Sequence, residues 1–309
     1  MPLCTISHFT VCISTLFALN ILNWFCEMNL KSLIKQNALL LGIVVPIYRF
    51  YLSLRYFYSH GKKILIWLLK SREITNYTYY LPKHNIQELA YVISHVLQVN
   101  LSTVEQYFDE IESDTNLRNH IFEVTNSSHY RSVSDREVRY GQRIAWYAVA
   151  RICKPKLIVE TGLDKGLGTC TLGAALMRNT ADGERNGKIL AVDIDAEAGW
   201  LIKTPYDKHV EFLTNDSLLA LSSIDEPIDL FIYDSVRNSL HEQQEYKIIS
   251  KQLRKGSIII STTTHHSMAL MNFAKELNED YYSWLELPIN HFYPGGGMGI
   301  VRISRDSIR

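Results

Sequence analysis

Residues 157–172 read LIVETGLDKGLGTCTL, and the fold is decided there. An apolar strand ends in the acid Glu160. Gly162, Gly166 and Gly168 follow in a turn, and small residues from Thr169 onward open a helix. The next strand-like run, KILAVDID over 188–195, carries Asp193 at its end. Strand, acid, glycine loop, helix and a second strand ending in an acid make one half of a nucleotide-binding parallel sheet.

The order of acid and glycine narrows the nucleotide. A dinucleotide loop has the pattern GxGxxG, and its amides approach a pyrophosphate. Here the spacing is Gly162-x-x-x-Gly166-x-Gly168, with Glu160 before the first glycine. A carboxylate there repels a pyrophosphate but suits a ligand bearing an amine and a sulfonium, which S-adenosylmethionine (SAM) is. Asp193 would then accept hydrogen bonds from the ribose hydroxyls.

The 309 residues suffice for one large or two modest domains. Lys plus Arg and Asp plus Glu number 32 each, so bulk charge gives no reason to expect a nucleic-acid partner. Cys4, Cys12, Cys26, Cys153 and Cys170 form no CxxC pair or metal-like spacing, which reads as reduced thiols around a cytosolic catalytic domain.

The first seventy residues differ from the rest. Phe9 to Cys26 is an uncharged run of eighteen, barely long enough to cross a bilayer and interrupted by Asn20 and Asn23. If it spans, Lys31 and Lys35 keep the following chain cytoplasmic. Translation from Met28 would remove it. A second apolar piece, Ala38 to Tyr48, continues as RFYLSLRYFYSHGKKILIWLLK, which mixes aromatic and basic residues like a segment in a headgroup layer. The alternative is an arm buried against a partner subunit in a homo-oligomer.

The expected organisation is a membrane-associating segment (1–70), a helical flank or lid (71–150) and a ligand-binding α/β domain (151–309). Strands are expected at 157–161, 189–193, 209–213, 228–233, 257–261 and 297–303. Helices are expected at about 168–179, 197–203, 217–222, 240–254 and 267–277. Such alternation implies a mostly parallel sheet covered on both faces, with ligands beyond the strands' carboxyl ends. The residues to watch there are Glu160, Asp193, Asp216, Asp234 and Thr262 to His266.

Five peptides carry a family resemblance: YGQRIAWYAVARICKPKLIVETGLDKGLGTCTLGAAL, AVDIDAEAGWLI, EFLTNDSLLAL with EPIDLFIYDS, and LPINHFYPGGGMGIV. Over roughly 85–309 the chain resembles class I SAM-dependent methyltransferases with a Rossmann-like sheet. It is most similar to a bacterial subgroup found near sugar and polysaccharide biosynthesis genes, distantly like the macrocin O-methyltransferases. The resemblance implies cofactor contacts from Glu160, Gly162, Gly166, Asp193, Asp216 and Ser217, with Asp234 beside the transferred methyl group. An N-cap role is the alternative for Asp216 and Asp234.

Two departures stand out. Metal-dependent members carry an acid after the fourth strand and Asp-Asp or Asp-Asn after the fifth, because the cation needs oxygen ligands. Here Thr262 and Thr263 hold the latter places, and Val236 and Arg237 replace a related Asp-His pair. No metal is therefore expected. His265 is the first candidate base and His291 the second, since imidazole titrates near neutral pH. These features imply O-methylation of a small-molecule or lipid-linked sugar acceptor at the cytoplasmic face of a membrane. The competing expectation is a SAM-binding scaffold with a degenerate site. A third, an iron oxygenase, requires two histidines and a carboxylate on one ion, which adjacent His265 and His266 present poorly.

Overall fold

The computed structural model describes residues 37–73, 79–184, 186–289 and 291–305. The run Phe9–Cys26 lies outside them. The described residues fall into two units that divide between Lys62 and Lys63. Helix α1 (Ala38–Lys70) crosses that division.

The second unit opens with a helical layer: α2 (Lys83–Leu97), α3 (Leu101–Ser113), α4 (Thr115–Ser127) and α5 (Arg143–Cys153). Then come β1 (Leu157–Thr161), α6 (Leu167–Ala181), β2 (Lys188–Asp193), β3 (Val210–Thr214), α7 (Ser217–Ser222), β4 (Ile228–Tyr233), α8 (Ser239–Ile249), β5 (Leu253–Ser261), α9 (Ala269–Leu277), β6 (Tyr281–Leu285) and β7 (Gly297–Arg302). The sheet order is β3-β2-β1-β4-β5-β7-β6. The first five strands are parallel, and β7 runs antiparallel between β5 and β6. This is the expected Rossmann-like sheet with helices on both faces.

Every residue of β1 is buried, as a strand covered on both faces requires. Side chains alternate across it: Ile158 faces the core shared with α2, α3, α5 and α6, while Leu157 and Val159 face the core under α7, α8 and α9. The strand order reverses between β1 and β4, and the crevice beyond their carboxyl ends is where such a sheet binds ligands.

Three expectations need correction. The stretch 197–203 forms turns, because Gly199 takes φ +71° and breaks the helical pattern. Helix α8 stops at Ile249, and β5 begins at Leu253. Strand β6 was not expected. Its sequence YYSWL lacks apolar alternation because it is an edge strand on which only Trp284 is buried.

Candidate active site

Glu160 sits under the N-terminus of α6, 1% exposed, where its Oε2 accepts a hydrogen bond from Thr169 Oγ1 at 2.8 Å. Burial pushes its pKa up to about 8, with Asp234 and Asp193 adding to the rise and Thr169 and Arg143 opposing it. A side chain at Gly168 would fall 2.6 Å from Glu160 Oε1 and 2.3 Å from Trp146 Cζ3, so this glycine admits the acid and the indole together. Gly162 is left-handed (φ +84°), and a Cβ there would lie 2.4 Å from the Asp234 carbonyl. Gly166 is also left-handed, but its close approach is to Gly199 and Ile202 of the protein itself. Its absent side chain therefore serves loop packing.

Asp193 ends β2 with Oδ2 accepting from Leu163 N at 2.7 Å and Oδ1 from Asp195 N at 3.0 Å. The carboxylate thus ties the glycine loop to β2, and its remaining lone pairs can still accept from hydroxyls. Ile194, next in sequence, is 78% exposed and offers an apolar surface beside that acid. Asp216 caps α7 through Oδ1, which accepts from Leu218 N and Leu219 N. Ser217 is corrected more strongly: its Oγ donates to Glu245 Oε1 at 2.5 Å and meets His241 Nε2 at 2.9 Å. Its one proton supports a buried carboxylate and is not offered to a base.

Asp234, just past β4, is partly buried. Its Oδ1 accepts from Thr262 Oγ1 at 2.5 Å and its Oδ2 from Arg143 Nη2 at 3.4 Å. Burial raises its pKa against the pull of Arg143 and Thr262. Thr262, at a metal-ligand position of the resembled family, thus acts as a donor to the carboxylate.

Both histidines prove to be hydrogen-bond acceptors at Nδ1. His265 Nδ1 accepts from Gly297 N at 2.8 Å, and His291 Nδ1 accepts from Tyr293 N at 2.9 Å. A neutral imidazole accepting at Nδ1 carries its proton on Nε2, so neither ring has a lone pair left for an acceptor hydroxyl. Burial also lowers both pKa values, that of His265 to about 4 with help from His266 and Arg237. The structure therefore places both residues at the expected edge of the sheet but removes their expected role as base.

Two groups went unnoticed in the sequence. Arg143, the first residue of α5, has a side chain 13% exposed and stacks over Trp146 at 5.3 Å. Glu286, after β6, is buried and accepts from Tyr79 Oη, Gln142 N (3.0 Å) and Gly296 N (3.2 Å). A Cβ at Gly295 would lie 2.0 Å from the Glu286 carbonyl, which explains part of the PGGG run. Asn85 on α2 holds the same turn through Leu285 O and Leu287 N, both at 2.9 Å. The only hint in the sequence was one acid within the apolar run WLELPI. Arg143 lowers the pKa of three site carboxyls, Glu160, Asp234 and Glu286. The four carboxyls Glu160, Asp193, Asp234 and Glu286 outnumber the guanidiniums of Arg143 and Arg237, which favours a ligand of net positive charge, and SAM, with an ammonium, a sulfonium and a single carboxylate, is one. The residues present fit that cofactor.

The profile of a methyltransferase-domain family matches residues 159–261, from β1 to the end of β5. Among solved structures, a candidate O-methyltransferase from Klebsiella pneumoniae is 13% identical, with 66% of this chain and 96% of that chain covered at a TM-score of 0.50. The O-methyltransferase TomG from Streptomyces achromogenes, solved in complex with SAM, is 16% identical over 60% of this chain and 89% of its own, at a TM-score of 0.47. An O-methyltransferase from Bacillus cereus in complex with S-adenosylhomocysteine is 16% identical, covers 70% and 97%, and has a TM-score of 0.43. No curated protein matches the chain. The chain thus carries a methyltransferase domain on a Rossmann-like fold.

Proposed function

We propose that the protein transfers the SAM methyl group to a hydroxyl of a sugar or glycolipid, at the cytoplasmic face of a membrane, with Asp234 as the base. The observation that carries the chemistry is the pairing of Asp234 with Thr262 and Arg143 beside the glycine loop, while the Nδ1 lone pair of each nearby histidine is taken by a backbone N–H. Bound SAM supplies an electrophilic methyl group. An acceptor hydroxyl that took this methyl group would give up its proton, and Asp234 is the residue that would receive it. Burial makes Asp234 a stronger base than a solvated carboxylate, and Thr262 on one oxygen and Arg143 on the other fix its orientation. The glycolipid part of the reading is supported by the apolar and aromatic α1.

The second reading, a SAM-binding scaffold, is favoured by Thr262, Thr263, Val236 and Arg237 at positions where relatives carry catalytic groups. Calorimetric titration of the full chain with SAM, alongside Asp193→Ala, tests the cofactor. Labelled methyl transfer to total membrane glycolipids and to free sugars then separates the readings. SAM binding with label in glycolipid supports the proposal. Binding without any transfer supports the scaffold, and no binding by folded protein refutes the methyltransferase reading and leaves the scaffold.

A further inference from the structure

The part of the molecule that the methyltransferase site leaves unexplained is α1. Across its 33 residues it has no acidic side chain and five basic ones, Arg49, Arg55, Lys62, Lys63 and Lys70, in a chain whose formal net charge is zero. At 3.6 residues per turn these five fall within one arc. Ile47, Phe50, Leu54, Phe57, Gly61, Leu65 and Leu68, spaced by threes and fours, form the opposite stripe. Phe50, Phe57 and Leu68 are each at least 65% exposed, and no residue of the helix is buried. Near the helix end, Trp67 turns to Phe292, with ring centroids 4.1 Å apart, which leaves Ile64, Leu65 and Leu68 uncovered on the other side.

Length and mean hydropathy alone would allow this helix to cross a bilayer. The charges argue otherwise. Its longest uncharged run is Ala38–Tyr48, well short of the roughly 20 residues a span needs. A spanning pose would put Arg55, near the helix midpoint, in hydrocarbon, and Lys62 and Lys63 follow about two turns later. Lying flat satisfies both faces: the stripe enters the acyl boundary while the basic arc and the tyrosines meet headgroups. A second copy of the chain could cover the stripe but would leave five positive charges without counter-charge.

We propose that α1 is a docking surface for an anionic lipid bilayer and lies in the plane of its headgroups. This rests on the membrane reading above and is independent of the methyl-transfer reading. The test uses the full chain with sedimenting vesicles of phosphatidylcholine alone and of an equimolar mixture with phosphatidylglycerol. SAM titration of each variant reports separately on the catalytic unit. Binding should strengthen with the anionic lipid and weaken with salt. Arg55→Gln/Lys62→Gln should lower the anionic increment by roughly 30-fold, at about fivefold per basic residue. Phe57→Ser/Leu65→Ser should lower binding to both vesicle types, with SAM affinity unchanged. Equal binding to both vesicles that ignores the charge variant would overturn the proposal in favour of a span. Absence of vesicle binding overturns it as well, whether the protein is monomeric or forms a dimer that Phe57→Ser/Leu65→Ser dissociates. In each case intact SAM titration leaves the methyltransferase standing.

Discussion

The most discriminating perturbation is Glu160→Gln, because the acid's buried position gives cofactor binding a defined pH dependence. Its pKa of about 8, against an ordinary 4.5, means that burial penalises the carboxylate by about 5 kcal/mol, at 1.36 kcal/mol per pKa unit. At pH 7 only about a tenth of the molecules carry the charge that an ammonium or sulfonium would select. SAM should therefore bind roughly tenfold more weakly at pH 7 than above pH 9, a difference of about 1.4 kcal/mol. Titration calorimetry at pH 7 in two buffers of different ionisation enthalpy should show close to one proton released per SAM bound. The release should fade by pH 9. Glu160→Gln keeps the shape and should flatten both the affinity profile and the proton count. The same residue affects stability with a fixed sign. Its folded pKa is raised, so the wild type loses stability as pH climbs from about 4.5 to 8. Glu160→Gln should then melt higher than wild type at pH 8 and no higher near pH 4.5. Wild-type affinity independent of pH, with no proton release, would refute this account of Glu160.

Other substitutions probe the rest of the site. Asp234→Asn should lower kcat by ~10²–10⁴-fold with little change in SAM affinity, measured by product release and calorimetry, since only the proton acceptor is lost. His265→Gln and His291→Gln should each leave the pH dependence of kcat between 6 and 8 unchanged, because each imidazole accepts a backbone N–H at Nδ1 and has no lone pair to offer an acceptor hydroxyl. A shift of the acidic limb in either variant would restore that histidine as base. Ser217→Ala should destabilise the fold by about 1–3 kcal/mol in denaturant melts, since buried Glu245 loses a donor, while SAM affinity holds.

What the sequence could reveal was what depends on local pattern. Leu157 to Thr161 had to be a buried strand because five residues without a free polar face fit nowhere else, and Asp193 follows from the same logic one strand on. Strand β6 was illegible because an edge strand with one buried residue leaves no alternation to read. Arg143 and Glu286 were illegible for another reason. Each is an ordinary charged residue in sequence, and only the fold brings Arg143 to Asp234 across 91 positions and Glu286 to the Gln142 N–H across 144. The roles of Ser217, His265 and His291 were misread because a residue type announces what it can donate or accept. The partner that consumes that capacity, a backbone N–H in the case of both histidines, belongs to the folded chain alone.

The same reasoning bears on the replaced residues after β5, where the scaffold reading has its footing. Thr262 gives its hydroxyl proton to Asp234, and that hydrogen bond occupies a carboxylate lone pair a cation would need. In a degenerate site, loss of neighbouring ligands would leave Asp234 without partners. Instead the carboxylate is kept, oriented by Thr262 on one oxygen and faced by Arg143 on the other, with a pKa raised by burial. A buried acid with two fixed donors costs stability that a scaffold has no reason to bear. The cost is intelligible if Asp234 receives a proton during turnover, and Thr262→Val separates the cases. A base held by Thr262 should lose kcat by about tenfold or more at constant SAM affinity, whereas a purely structural pair should change melting temperature and nothing else.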